Sequence, residues 1–164
     1  MDRYLCALGE AVDDAAGDLS PDLLGRPVDG RWSIAEILEH LTLAFAGTAT
    51  ALEKALASGE LRARPSVLRQ RFWRFVVLEL GYFPRVAAPE KTRPTGRIAP
   101  ERSVDALHDA VRRMDAALTR AADRFGGRVA VANHPYLGGL SVLQWRKLHW
   151  RHTVHHMRQV RRRI

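Results

Sequence analysis

Two capping boxes constrain this chain more than any other feature of its sequence. Ser33-Ile34-Ala35-Glu36 and Ser141-Val142-Leu143-Gln144 each place a serine three residues before a Glu or Gln. In that pattern the serine hydroxyl and the longer side chain satisfy each other's backbone N–H groups and fix a helix start. Trp32 with Ile37, and Leu140 with Trp145, sit where a hydrophobic staple closes the same motif. The first box opens a helix expected to run to Ser58, ahead of Gly59. The second opens a helix expected to run to the C-terminus, with Arg161, Arg162 and Arg163 in its last turn, where cations meet the negative end of the helix dipole.

The remaining punctuation also reads as helical. Residues 2–17 suit a first helix, and Ser20-Pro21 a cap and first position of a short second one. Residues 66–81 and 104–125 suit two more, the latter ended by Gly126-Gly127. The stretch from Pro84 to Pro100 reads as a loop. No segment alternates with period two for long enough to indicate a sheet. The expected fold is therefore all-α: one domain over 1–164, a four-helix bundle with an additional helix and loop insert over 60–100.

A chain of 164 residues buries a core without staples. Cys6 is the sole cysteine, which excludes an internal disulfide and a cysteine-based zinc site. With no visible signal peptide, a cytoplasmic location is expected. The apolar stretch Phe72–Phe83 contains Arg74 and Glu79 and is too short to span a membrane. The net charge of +8 admits a polyanionic partner, but no nucleic-acid-binding signature accompanies it. Nucleic acid is not an expected partner.

The histidines carry the functional signal. Four of the seven fall between 149 and 156. At about 100° per residue, His149, His152, His156 and Gln159 share an arc with Trp145, while Lys147, Arg151, Arg158 and Arg162 share another suited to solvent. Imidazoles on the inward side of a helix need partners, because a buried polar group without one is costly. His152 and His156, four apart, lie about 5–6 Å from one another at Cβ and can both reach one ion. On the preceding capped helix, His40 shares a stripe with Ile34, Ile37, Leu41, Ala44, Thr48, Leu52 and Ala55, while Glu36, Glu39, Glu53 and Lys54 take the opposite side. A lone imidazole on such a stripe is ordinarily a satisfied core residue. Two capped helices that bring it to an i, i+4 pair make His40, His152 and His156 the expected ligands of one divalent transition metal. His149, His155 and Gln159 are expected beside them, orienting a ligand's free nitrogen or lining the mouth. His155, next to His156, points about 100° away from it. His108 and His134 read as ordinary surface or loop residues.

Several of these motifs resemble those of a known family. They are Trp32-Ser33 followed by Glu36-Ile37-Leu38-Glu39-His40-Leu41; His134-Pro135-Tyr136-Leu137-Gly138; Leu143-Gln144-Trp145; and His152-Thr153-Val154-His155-His156-Met157-Arg158-Gln159. In this order they resemble the DinB-like (YfiT-type, DinB_2 branch) metal-dependent proteins. The resemblance implies a four-helix bundle, zinc or nickel on His40, His152 and His156, a homodimer, and transfer of a low-molecular-weight thiol such as bacillithiol, mycothiol or glutathione. A second apolar arc on the last helix (Leu143, Trp150, Val154, Met157) is a candidate subunit contact. Three neutral ligands leave a position open, the mark of a catalytic site. The expected function is metal-dependent S-transfer of a small thiol to an electrophile. Hydrolysis of a small substrate and a non-enzymatic metal- or ligand-binding role in stress response are the alternatives.

Overall fold

The computed structural model describes residues 2–61, 63–84 and 87–164. Arg62, Arg85 and Val86, in the insert expected over 60–100, lie outside the described residues. The protein is mostly helical, with six α-helices among the described residues: α1 Arg3–Val12, α2 Pro21–Gly25, α3 Ile34–Ser58, α4 Leu68–Leu78, α5 Ser103–Phe125 and α6 Val142–Val160. A single π-type turn, Asp13–Gly17, continues α1.

The capping boxes form as the sequence requires. Ser33 Oγ accepts from Glu36 N at 3.2 Å, and Glu36 returns a carboxylate oxygen to Ser33 N at 2.7 Å. Ser141 and Gln144 repeat the exchange at 3.4 and 3.0 Å. Ser20 caps α2 with Pro21 at its first position. Helix α6 stops at Val160, short of the C-terminus, and Arg161–Arg163 continue as turns. Arg163 donates to the carbonyls of Gln159 and Trp32, at 2.8 and 2.9 Å, and so serves the α6 C-terminus as its charge suggests.

The core lies among α1, α3, α5 and α6. Helix α3 packs along α5, α1 packs along α6, and each pair touches the other. Leu5, Leu8, Ile37, Leu41, Phe45, Leu52, Leu107, Met114 and Leu118 fill the space between them, all fully buried. Most of this burial falls on one stripe of each helix, the condition for amphipathic helices to close on a common core.

The all-α expectation fails at one place. Ala130–His134 and Gly138–Ser141 form an antiparallel hairpin, β1 and β2, with a bulge between Ala130 and Ala132. Its strands are five and four residues long, and every residue of β2 is buried. No period-two signal survives in strands so short and so fully covered. Gly138 takes φ +74° at the turn, where a Cβ would collide with Ser66 and Gln70. That collision explains why glycine ends the His134–Gly138 turn.

Helix α4 packs against α6 and enters the core only through Val77 and Leu78 in its last turn. Arg151 donates to the carbonyls of Leu78 and Glu79 at its C-terminus, Lys147 pairs with Glu79, and Arg74 donates to Gly139 O. The Lys147 and Arg151 part of the outward arc of α6 is thus occupied by α4, while Arg158 and Arg162 are exposed. The second apolar arc of α6 is divided: Met157 is buried in the core, Trp150 packs against Tyr4, and Leu143 is exposed. Leu68, Phe72 and Phe75, at i, i+4 and i+7 on α4, are exposed too. Among the described residues, no helix is long and apolar enough to cross a membrane.

Candidate metal centre

The capped N-terminal end of α3 meets the C-terminal half of α6, so that His40, in the second turn of α3, faces His152 and His156 of α6. His40 Nε2 lies 3.4 Å from His152 Nε2, which lies 3.1 Å from His156 Nε2. One ligand atom from each of the three falls within 4.8 Å of the others. His40 and His156 are buried and His152 is half-buried.

The other ring nitrogens decide what these three can do. His40 Nδ1 is 2.7 Å from the carbonyl of Thr92. A carbonyl only accepts, so Nδ1 carries the proton and Nε2 presents a lone pair. His156 Nδ1 faces Gln159 Oε1 at 3.1 Å, with the same consequence. The amide nitrogen of Gln159 then donates to His155 Nε2 at 3.0 Å, which ties His155 to the cluster from outside. Two lone pairs therefore point at His152 Nε2, which carries at most one proton. One buried acceptor is left unmet, and an unmet buried polar group is costly.

A cation resolves the conflict. Nitrogen ligands at about 2.0–2.1 Å in a tetrahedral set stand about 3.3–3.4 Å apart. Two sides of the triangle, 3.1 and 3.4 Å, agree with that spacing, and the third lies within 4.8 Å. Protonation instead is opposed by the surroundings. Burial pushes the His40 pKa down against the help of the Thr92 carbonyl, and it holds His156 at about 3 with repulsion from His40 added. Burial and the neighbouring imidazoles put His152 well below its ordinary value. The three rings are neutral near pH 7, the state a metal ligand needs.

Aromatic rings wall the site. Phe83 stacks on His152 with centroids 5.6 Å apart and also meets His155, and Trp32 lies 5.1 Å from the His40 ring. Neither ring, nor the Thr92 carbonyl, carried a signal for this role in the sequence. Glu39 lies inside, not on the solvent side expected from its helical position. It is 2% exposed and accepts from Thr95 N, Thr95 Oγ1 and Gly96 N, where the helical stripe had put it toward solvent. Burial alone would raise its pKa, but these bonds and one from Arg97 N outweigh it and hold the carboxyl below its ordinary value. The available signal was the run Ile34, Ala35, Ile37, Leu38 and Leu41, apolar on every side and so buried on every side.

The other expected neighbours divide. Gln159 and His155 adjoin the cluster. His149 shares the face but not the centre: its Nε2 meets Thr48 Oγ1 at 3.0 Å, and its ring lies between Phe45 and Trp145. His108 pairs with Asp13 at the surface, as its reading suggested. His134 is no plain loop residue. It is half-buried beside Trp145, and its Nδ1 accepts from the N–H groups of Tyr136 and Leu137.

Residues 5–163 match the family described as "Protein of unknown function (DUF1569)". The chain belongs to the DUF1569 family. This membership replaces the DinB-like assignment drawn from the sequence motifs: the match covers almost the whole chain and is to a different family. The shared pieces are an isolated His on one helix, an i, i+4 His pair on another and two capping boxes, and these are common enough to recur outside one family. A search of curated proteins and of solved structures gave no match.

Proposed function

We propose that this chain is a metal-dependent transferase in which His40, His152 and His156 hold one divalent transition-metal ion, zinc or nickel, and a low-molecular-weight thiol is transferred to an electrophile. The observation that carries the reading is the convergence of three Nε2 atoms, two of them with lone pairs fixed inward by Thr92 O and Gln159 Oε1. All-nitrogen donors suit zinc and nickel better than calcium or magnesium, which take oxygen. Three neutral donors leave the charge of a dication uncompensated and a coordination position open, which favours an anionic nucleophile as the next ligand. An ion held there supplies a Lewis acid that lowers the pKa of a thiol or a water.

The chain's own residues do the rest. Thr92 O and Gln159 orient two of the imidazoles. Phe83 and Trp32 cover the rings and keep the dielectric low, which strengthens charge interactions inside. We infer a four-helix bundle of α1, α3, α5 and α6 as the scaffold, supported by the packing of these helices on one core.

Elemental analysis of tag-free protein tests the reading. About one equivalent of zinc or nickel is expected in the wild type and none in His152→Ala. The metal-loaded protein is then mixed with small thiols and an electrophile. Product that requires both metal and thiol supports transfer; product without thiol moves the reaction to hydrolysis. Failure to take up metal on reconstitution overturns the proposal.

A further inference from the structure

The segment that covers His40 is held by the residue beside it in sequence. Among the described residues, segment 90–97 is tied to α3 by side-chain hydrogen bonds from two consecutive positions. His40 Nδ1 donates to Thr92 O, and Glu39 accepts from Thr95 N at 3.1 Å, Thr95 Oγ1 at 2.7 Å and Gly96 N at 2.9 Å. Gly96 adopts φ +69°, a conformation that other residues rarely take. Thr92 ends a short 3₁₀ turn, Glu90–Thr92, and bonds back to Pro89 through both N and Oγ1. The carbonyl that fixes His40 is thus the end of a compact turn, anchored three residues downstream by Glu39.

A carboxylate 2% exposed, with only neutral donors around it, is an expensive anchor for a surface loop. Loops are ordinarily held by a few backbone bonds and an apolar contact. Here the anchor lies one residue from a candidate metal ligand, and its loop returns a carbonyl to that ligand's far nitrogen. Without the Thr92 carbonyl, neutral His40 could carry its proton on either nitrogen, and a proton on Nε2 blocks coordination.

We propose that Glu39 is a positioning residue: its buried carboxylate holds segment 92–96 across α3, and this fixes His40 in the tautomer whose Nε2 lone pair faces His152 and His156. The consequence for metal affinity rests on the three-histidine reading above; the consequence for the tautomer does not.

The test compares wild type, Glu39→Ala, Glu39→Gln and Thr95→Val. Imidazole tautomers are read in the metal-free proteins by long-range ¹H–¹⁵N NMR, and zinc affinity by competition with a chelator. Wild-type His40 is expected with its proton on Nδ1. Glu39→Ala is expected to mix in the Nε2–H form and to weaken zinc about 10–100-fold, the range for losing a partner that orients a ligand. Glu39→Gln and Thr95→Val, which keep part of the bonding, are expected in between. If Glu39→Ala does not fold, these two decide. An unchanged His40 tautomer and unchanged zinc affinity in the folded variants would overturn the proposal. If the wild type binds no zinc, the three-histidine reading fails, and the tautomer comparison still tests Glu39.

Discussion

Helix α6 carries two sets of imidazole contacts on its inner side, one turn apart, and they do different things. Toward its C-terminus, His152 and His156 meet His40 nitrogen to nitrogen. Toward its N-terminus, His149 stacks on Trp145, whose ring also meets a tilted His134. Each set combines buried rings with a half-buried one, and both have depressed pKa values. The difference lies in whether the uncommitted nitrogens converge. In the first set the Nδ1 atoms of His40 and His156 are spent on oxygens, which leaves the Nε2 atoms free to converge. In the second, His149 spends Nε2 on Thr48 and its buried Nδ1 meets no partner, while His134 spends Nδ1 on two backbone N–H groups, and among the described residues neither joins a cluster of ligand atoms. Residue type and helix face select candidates; the partner of each ring's other nitrogen frees a lone pair, and convergence of the freed nitrogens decides which of them can share a metal.

The sharpest way to break the comparison is to remove one ring from each set. His152→Ala is expected to lose metal altogether, a fall of at least about 10³-fold in affinity. His149→Ala is expected to keep about one equivalent. Inductively coupled plasma mass spectrometry on the two purified variants reads this directly. Loss of metal in His149→Ala with retention in His152→Ala would reverse the assignment.

Acid should act on the second set through stability. Burial, with His134 as a further contributor, pushes His149 down to about 3, and burial pushes His134 to about 4. The unfolded chain takes up these protons near pH 6.5, while the folded chain resists until about 3 or 4. Between those limits the unfolded state binds more protons, so folding stability is full above about pH 6.5 and falls as the pH drops. The slope is about 1.4 kcal/mol per pH unit for each such group, as an upper limit. Urea midpoints of the metal-free protein from pH 7.5 to 4.5 should show the fall, and His149→Phe should reduce its slope by the share of one group. A flat profile down to pH 4.5 would show that these rings titrate normally and are solvated.

Removing His149 should also cost stability at neutral pH. Its ring lies 4.3 Å from Phe45 by centroid, and Thr48 would lose a partner. His149→Ala is expected to destabilise by about 1–3 kcal/mol, and His152→Ala, in metal-free protein, by less, because half-buried His152 leaves a site closer to solvent. Chemical denaturation of both variants checks the order.

Much of this was legible in the sequence for local reasons. Capping boxes and glycine stops depend on neighbours in the chain, so α3, α5 and α6 begin and end close to where their signals stand. The three histidines were legible because helical periodicity turns spacing into a shared face. What the sequence hid is non-local. The Thr92 carbonyl is a backbone atom 52 residues from His40, and any residue type supplies one. Glu39 looked like a solvent-side charge because its donors belong to a proline-rich segment with no periodicity to place it. The β1–β2 hairpin was invisible because its strands are short and covered. The family motifs misled for the opposite reason: they recorded helix starts and histidine spacing, which follow from general helix chemistry as readily as from descent.

Gln159 gives the finest test of the comparison, because it separates holding a ring from holding a metal. Its amide oxygen accepts from His156 Nδ1 and its amide nitrogen donates to His155 Nε2. Leucine at this position keeps the bulk and the helix propensity but neither bond. His156 would then be free to carry its proton on Nε2, the nitrogen that faces His152, and metal binding would have to displace it. Gln159→Leu is expected to weaken zinc about tenfold, or about 1.4 kcal/mol, with little change in thermal stability of the metal-free protein. His155→Ala should have a smaller effect, since it removes only the outer bond and leaves Gln159 on His156. Chelator competition on the two variants ranks them. If His155→Ala proved the more damaging, His155 would have to act on the ion itself, and the Gln159 amide would be serving His155 rather than His156.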